Sequence, residues 1–163
     1  MEFKDVVAVS GMGGLFEMIS QRPDGMLIQP IGSNKKKFVS NRIHTFSPLD
    51  KIGIYTLDGD SLPLEDVMRN IHKDVAAGGI IPKASAKSTE LKAFFNRVME
   101  DYDDERVYVS DIKKVIKWYA ILAEHDLITE PVEAKAEIEE SNESEGDSEN
   151  AEGEVEKTAV DTK

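Results

Sequence analysis

The apolar residues change their period once, near residue 60, and this change limits the fold more than any other feature of the chain. Up to Tyr55 they come in short runs separated by turn residues. From Pro63 onward they recur at steps of three and four. The first pattern belongs to strands and the second to amphipathic helices. A chain that places its strands before its helices segregates them, which is the α+β class. The reading divides the chain into a small β-barrel over 1–60, a helical lobe over 61–129 and a tail over 130–163.

In the first part, Val6-Val7-Ala8-Val9 reads as a strand, followed by the turn-rich Ser10-Gly11-Met12-Gly13-Gly14. Leu15 to Gln21 has the aromatic and β-branched content of a second strand. Arg22-Pro23-Asp24-Gly25 is a tight turn, because Pro presets φ and Gly accepts a positive one. It predicts a hairpin to Met26–Ile31, in which Pro30 lacks an amide donor and places the strand at an edge or ends it. Lys37–Val39 and Arg42–His44 continue the strand content. Ser47 to Asp50 reads as a single helical turn, and Ile52–Tyr55 as the last strand. Short strands at such regular spacing predict a small, strongly bent antiparallel barrel of SH3-like type.

The second part predicts three helices, at about 63–76, 89–101 and 111–125. Pro63 suits a first helical position, and Glu65 and Asp66 complement the positive end of the helix dipole. Gly78-Gly79 stops that helix. Ser88 and Ser110 are read as N-caps of the next two. In the third helix Ile112, Val115, Ile116, Tyr119 and Leu122 form the buried stripe, and Trp118 and Ile121 fall outside it. A helix with apolar groups on a second face either packs between two neighbours or presents a contact patch. Packing is the simpler account, since a lobe of this size needs the burial.

Charge separates the tail from the rest. Residues 1–130 hold 20 acidic and 17 basic side chains, net −3, whereas residues 131–163 hold 12 and 3, net −9. The tail contains no Leu, Met or aromatic residue, so it cannot bury enough surface to offset the entropy of ordering, and it is read as a disordered acidic appendage. Its expected work is solubility, spacing or masking of the lysine run described below. The overall acidity disfavours nucleic acid as a partner, because such binding needs Lys and Arg to displace counterions. The chain has no Cys, which excludes thiolate chemistry and disulfides and fits a reducing compartment. With neither a secretory pattern at the N-terminus nor an apolar run of about 18 residues, no membrane association is expected and the cytoplasm is the expected location.

Candidate sites each have a plainer alternative. Gly11-Met12-Gly13-Gly14 resembles a phosphate-cradling loop, yet its spacing matches no nucleotide motif and a strand follows, so a flexible turn is the simpler account. Lys35-Lys36-Lys37, with Arg42 and Phe38 nearby, could contact an anionic backbone; lysines guarding an edge strand are the simpler account. The carboxylates of residues 100–105 fail the calcium-loop pattern, with no Gly at the sixth position and Ile112 at the twelfth. His44, His72 and His125 have no ligand spacing. No catalytic, metal or cofactor residue is assigned and no cofactor is expected.

Several separated segments carry a family resemblance. These are Val9-Ser10-Gly11 with Gly14-Leu15-Phe16, then Ile52-Gly53-Ile54-Tyr55-Thr56, then Leu62 to Val67, and above all Arg106 to Tyr119. In these the chain resembles a bacterial family of unassigned activity, domain of unknown function 5606, over nearly the whole of residues 1–129. The resemblance implies a small N-terminal β domain, a helical domain and often an acidic extension; it supplies no functional residue. Gly13 departs from the proline expected of similar sequences, which implies a looser turn.

The sequence therefore favours a non-enzymatic protein-binding or adaptor module, with Trp118, Ile121 and Phe38 as candidate anchors. One alternative is weak nucleic-acid binding through Lys35, Lys36, Lys37 and Arg42. The other is an enzyme or small-ligand binder with a site between the two parts.

Overall fold

A computed structural model describes residues 1–129 of the chain; the expected acidic tail, residues 130–163, lies outside the described residues. The chain is α+β. It runs through five strands, β1 (Val6–Val9), β2 (Phe16–Arg22), β3 (Gly25–Pro30), β4 (Lys37–Ser40) and β5 (Phe46–Pro48). Then come the short pair β6 (Gly53–Tyr55) and β7 (Ser61–Pro63), and three helices, α1 (Leu64–Ala76), α2 (Ser88–Val98) and α3 (Val109–Glu124).

The first five strands form one antiparallel sheet in the order β4-β3-β2-β1-β5. Neighbours in sequence pair as hairpins from β1 to β4, and β5 returns to the far edge of β1, aligning Val9 with Phe46 and Val7 with Pro48. The β2–β3 hairpin closes on Arg22 and Gly25, so Pro23 and Asp24 form its two-residue turn. A register shift between Met18 and Ser20 marks a bulge in β2, which bends the strand and increases its twist.

Both faces of this sheet are apolar because side chains alternate along each strand. Val7, Val9, Phe16, Met26, Ile28 and Val39 form a cluster on one face, with Met12, Met18 and Phe46 packed against it. Every member comes from the sheet or its first turn. On the other face Val6 and Leu15 join Phe3, Leu49 and Ile54 in a single cluster with Leu64, Met68, Leu91, Phe95, Ile112 and Leu122 of the helices. Strand and helix halves thus share one core within the described residues 1–129. Phe95, fully buried, meets Tyr102 edge-to-face at 4.9 Å.

Four features differ from the sequence-based expectations. Arg42 and Ile43 lie in a turn and His44 follows it outside any strand, and the strand that closes the sheet order is Phe46–Pro48. Ile52–Tyr55 does not join the five-stranded sheet: β6 pairs with β7 as a separate ribbon. Pro63, read as the first helical residue, ends β7 with an extended ψ of 140°, so α1 starts one residue later. The second and third helices start one and two residues earlier than expected. Lys87 and Tyr108 precede them, in place of Ser88 and Ser110. The Asp111 carboxylate accepts the Tyr108 N–H at 3.1 Å and so caps α3 from inside its first turn.

Backbone bonds tie the ribbon into the body. Leu64 N donates to Ile52 O, Leu57 N to Asp101 O and Asp103 N to Tyr55 O, each at 2.9 Å. The acidic segment 100–105, whose carboxylates fail the calcium-loop pattern, thereby serves as a structural strap between β6 and α3. Among the described residues no His, Asp and Glu side chains are grouped as metal ligands, and no helix is long and apolar enough to cross a membrane.

Candidate binding cleft

The Gly-rich turn between β1 and β2 is held from its neighbour. Gly11 and Gly14 sit at φ +76° and +89°, values that residues with a Cβ rarely adopt. The Ser10 N–H donates to Thr45 O at 2.9 Å, the Thr45 N–H to Ser10 Oγ at 2.7 Å, and His44 Nδ1 to Ser10 O at 2.7 Å. Carbonyl oxygen can only accept, so Nδ1 carries the proton. Gly13 has no positive φ, and a Cβ added there meets nothing within 4 Å. The turn geometry therefore does not require glycine at this position.

This turn forms one wall of a cleft of about 950 Å³. The β6 segment from Ile52 to Tyr55 and helix α3 form the others. On α3 the cleft is lined by Asp111, Lys114, Val115, Lys117, Trp118 and Ile121. Most of these are three or four apart, so they share a strip of the helix surface beside the buried stripe through Ile112, Ile116, Tyr119 and Leu122. Trp118 and Ile121 are half-buried: they pack on the core on one side and line the cleft on the other.

Three cations and one carboxylate line the cleft: Arg106, Lys114 and Lys117 against Asp111. Asp111 is already occupied by the α3 cap. Arg106 lies 5.3 Å from the centroid of the Tyr55 ring and 3.5 Å from Asp103. Lys114 and Lys117 are exposed and pair with no carboxylate among the described residues. The remaining lining is mostly glycine or apolar, including Val9, Ile52, Ile54 and Leu64, with Ser10, Ser47 and Tyr55 adding hydroxyl groups.

Of the residues singled out in the sequence, the structure brings Trp118 and Ile121 to this cleft. Lys35, Lys36, Lys37 and Arg42 are exposed and line no part of it. Phe38, 43% exposed, stands opposite Leu27 and covers Gly25, where an added Cβ would lie 2.7 Å from its ring. Sequence reasoning missed Tyr55, Arg106, Lys114 and Lys117. The second strip on α3 was a signal for the lysines. Nothing local marks Tyr55 or Arg106.

Two family models match in tandem, Domain of unknown function (DUF5606) over residues 3–49 and Domain of unknown function (DUF6852) over residues 52–122. A solution NMR structure from Bacteroides vulgatus, determined by the Northeast Structural Genomics Consortium, is similar to this chain. The identity is 32%, covering 78% of this chain and 89% of that one, with a TM-score of 0.60. The chain belongs to the DUF5606 family. No curated protein matches it.

The two matches refine the resemblance read from the sequence. The DUF5606 match itself ends at residue 49, so the segment Arg106 to Tyr119, which carried most of that resemblance, falls in the DUF6852 match. The cleft of this DUF5606 protein is built from both matched segments, with Ser10 to Gly14 from one and Ile52 to Tyr55 and α3 from the other.

Proposed function

We propose that this protein is a non-enzymatic binding module that captures a segment of another protein in the cleft between the Gly-rich turn and α3. The observation that carries this reading is the placement of Trp118 and Ile121, packed on the core from behind and open to the cleft in front. A large aromatic held on a rigid element with a charged rim is the usual anchor of a protein interface. The cleft volume of about 950 Å³ lies at the top of the range of roughly 300–1,000 Å³ for small-molecule pockets. That leaves room for several side chains of a peptide.

Two finer readings belong with this proposal. The five-stranded sheet is read as an SH3-like barrel, because the apolar cluster around Val7, Ile28 and Val39 draws only on the sheet and its first turn and so calls for a sheet that curls over its own face. The protein is placed in the cytoplasm, in keeping with its lack of Cys. Affinity capture from native lysate with the full chain tests the function, with Trp118→Ala as the comparison. Partners retained by the wild type and lost by the variant support it. An identical partner set for both removes Trp118, and with it the cleft, as the binding site.

A second reading is favoured by the exposure of Phe38 beside Lys35, Lys36 and Lys37: weak nucleic-acid binding through the β4 side of the sheet. It requires affinity that falls steeply with salt and depends on those lysines. Binding that is absent, or that survives substitution of the three lysines, rules it out.

A further inference from the structure

We infer that the cleft selects an acidic segment of the partner protein, with carboxylates met by Lys114 and Lys117 and an apolar side chain seated against Trp118. This rests on the protein-binding reading above and names the chemistry of the partner.

Charge complementarity carries the inference. The cleft lining has three cations to one carboxylate, and that carboxylate is already engaged in capping α3. Residues 1–130 as a whole are net −3, so the positive lining is local and does not reflect general basicity. Lys114 and Lys117 stand one turn apart on the exposed side of α3, without ion pairs among the described residues. Carboxylates of a bound segment would reach them at the rim, where such charges steer association and reject basic competitors.

The rest of the lining argues for an apolar contribution. Behind the lysines lie Trp118, Ile121, Ile54 and Val9, and a highly charged strand would leave this surface wet. Opposite them the turn presents glycines, and a Cβ added at Gly13 or Gly14 meets nothing within 4 Å. A peptide backbone can therefore approach that wall closely. A nucleic-acid groove would instead need a basic track interleaved with several stacking aromatics; here the aromatics are Trp118 and Tyr55, and Tyr55 is taken by Arg106.

Trp118 is the only tryptophan in the chain, so its emission reports on the cleft directly. The test pans a random dodecapeptide display library on the full-length protein. Recovered peptides are then titrated against wild type, Lys114→Gln/Lys117→Gln and Lys114→Glu/Lys117→Glu, with Trp118 emission as the readout and circular dichroism as the check of folding. The expected peptides combine Asp or Glu with Leu, Ile or Phe, shift the emission, and lose roughly tenfold in affinity in the Gln variant and more in the Glu variant. Peptides that shift the emission but bind as well after Asp and Glu are changed to Asn and Gln would overturn the acidic assignment and leave the protein-binding reading standing. A library yielding no peptide that shifts Trp118 emission would overturn both. Displacement of the peptides by a thymidine oligonucleotide that binds more tightly would overturn the acidic assignment in favour of nucleic acid.

Discussion

His44 Nδ1 donates a 2.7 Å hydrogen bond to the Ser10 carbonyl, so the wall of the cleft formed by the Gly-rich turn is fastened to the loop that precedes β5. Replacing His44 with Leu removes that donor while leaving the Thr45 bond to Ser10 Oγ in place. A net hydrogen bond of this kind contributes about 1 kcal/mol, and the expected result is a melting temperature lower by a few degrees. Thermal unfolding followed by circular dichroism checks it. An unchanged midpoint would show that the remaining bonds hold the turn alone.

Arg97 grips Asp74 through two N–H donors, at 2.9 and 2.8 Å, and also donates to Ile80 O, closing the connection between α1 and α2. The hydrogen bonds from Arg97 hold the Asp74 carboxyl below its usual range. A carboxyl that is more acidic in the folded state contributes stability above its unfolded pKa, and that contribution disappears as pH falls through the folded value. Asp74→Asn should therefore melt below wild type at neutral pH, with the gap closing under acid conditions. A gap constant from pH 7 to pH 2 would contradict this assignment.

Gly25 lies in β3 opposite Ser40, and a Cβ there would strike the Val39 carbonyl and the Phe38 ring. Gly25→Ala should cost roughly 1–3 kcal/mol, the range of a small overpacking change. Adding Phe38→Ala should recover only part of it, since the carbonyl remains in place. Chemical denaturation of the single and double variants measures both; full recovery would place the conflict on the ring alone.

Because Val6 of the sheet and Phe95 of α2 belong to one cluster and are both fully buried, the two halves should unfold together. Phe95→Ala is expected to cost about 3–5 kcal/mol and to shift the near-ultraviolet and far-ultraviolet transitions by the same amount. Two separated transitions would show that the halves are independent domains.

These relationships also explain which parts of the molecule could be read from the sequence. The strand Val6–Val9, the β2–β3 hairpin and α1 were legible because their signals are local: short apolar runs bounded by turn residues, a Pro-Asp turn, a sustained helical period. Phe46–Pro48 and Ser61–Pro63 were not. Each is three residues long and ends in proline, and each is a strand only because a partner, β1 or β6, supplies its pairing. The starts of α2 and α3 shifted because the serine caps were read from residue type, whereas at α3 the Asp111 carboxylate does the capping. Trp118 and Ile121 were visible as apolar residues off the main stripe. The glycines opposite them looked like a plain turn, since only the tertiary arrangement sets that turn across from α3.

The strap of backbone bonds between Ile52 and Leu64, Tyr55 and Asp103, and Leu57 and Asp101 spans the point where strands give way to helices. A connection laced in this way is no hinge, and the cleft above it behaves as a fixed gauge and not as a jaw. On the proposed binding role, a partner would meet no closing step on arrival, association would proceed at a rate set by encounter, and segments too thick for the gap would be refused by shape alone.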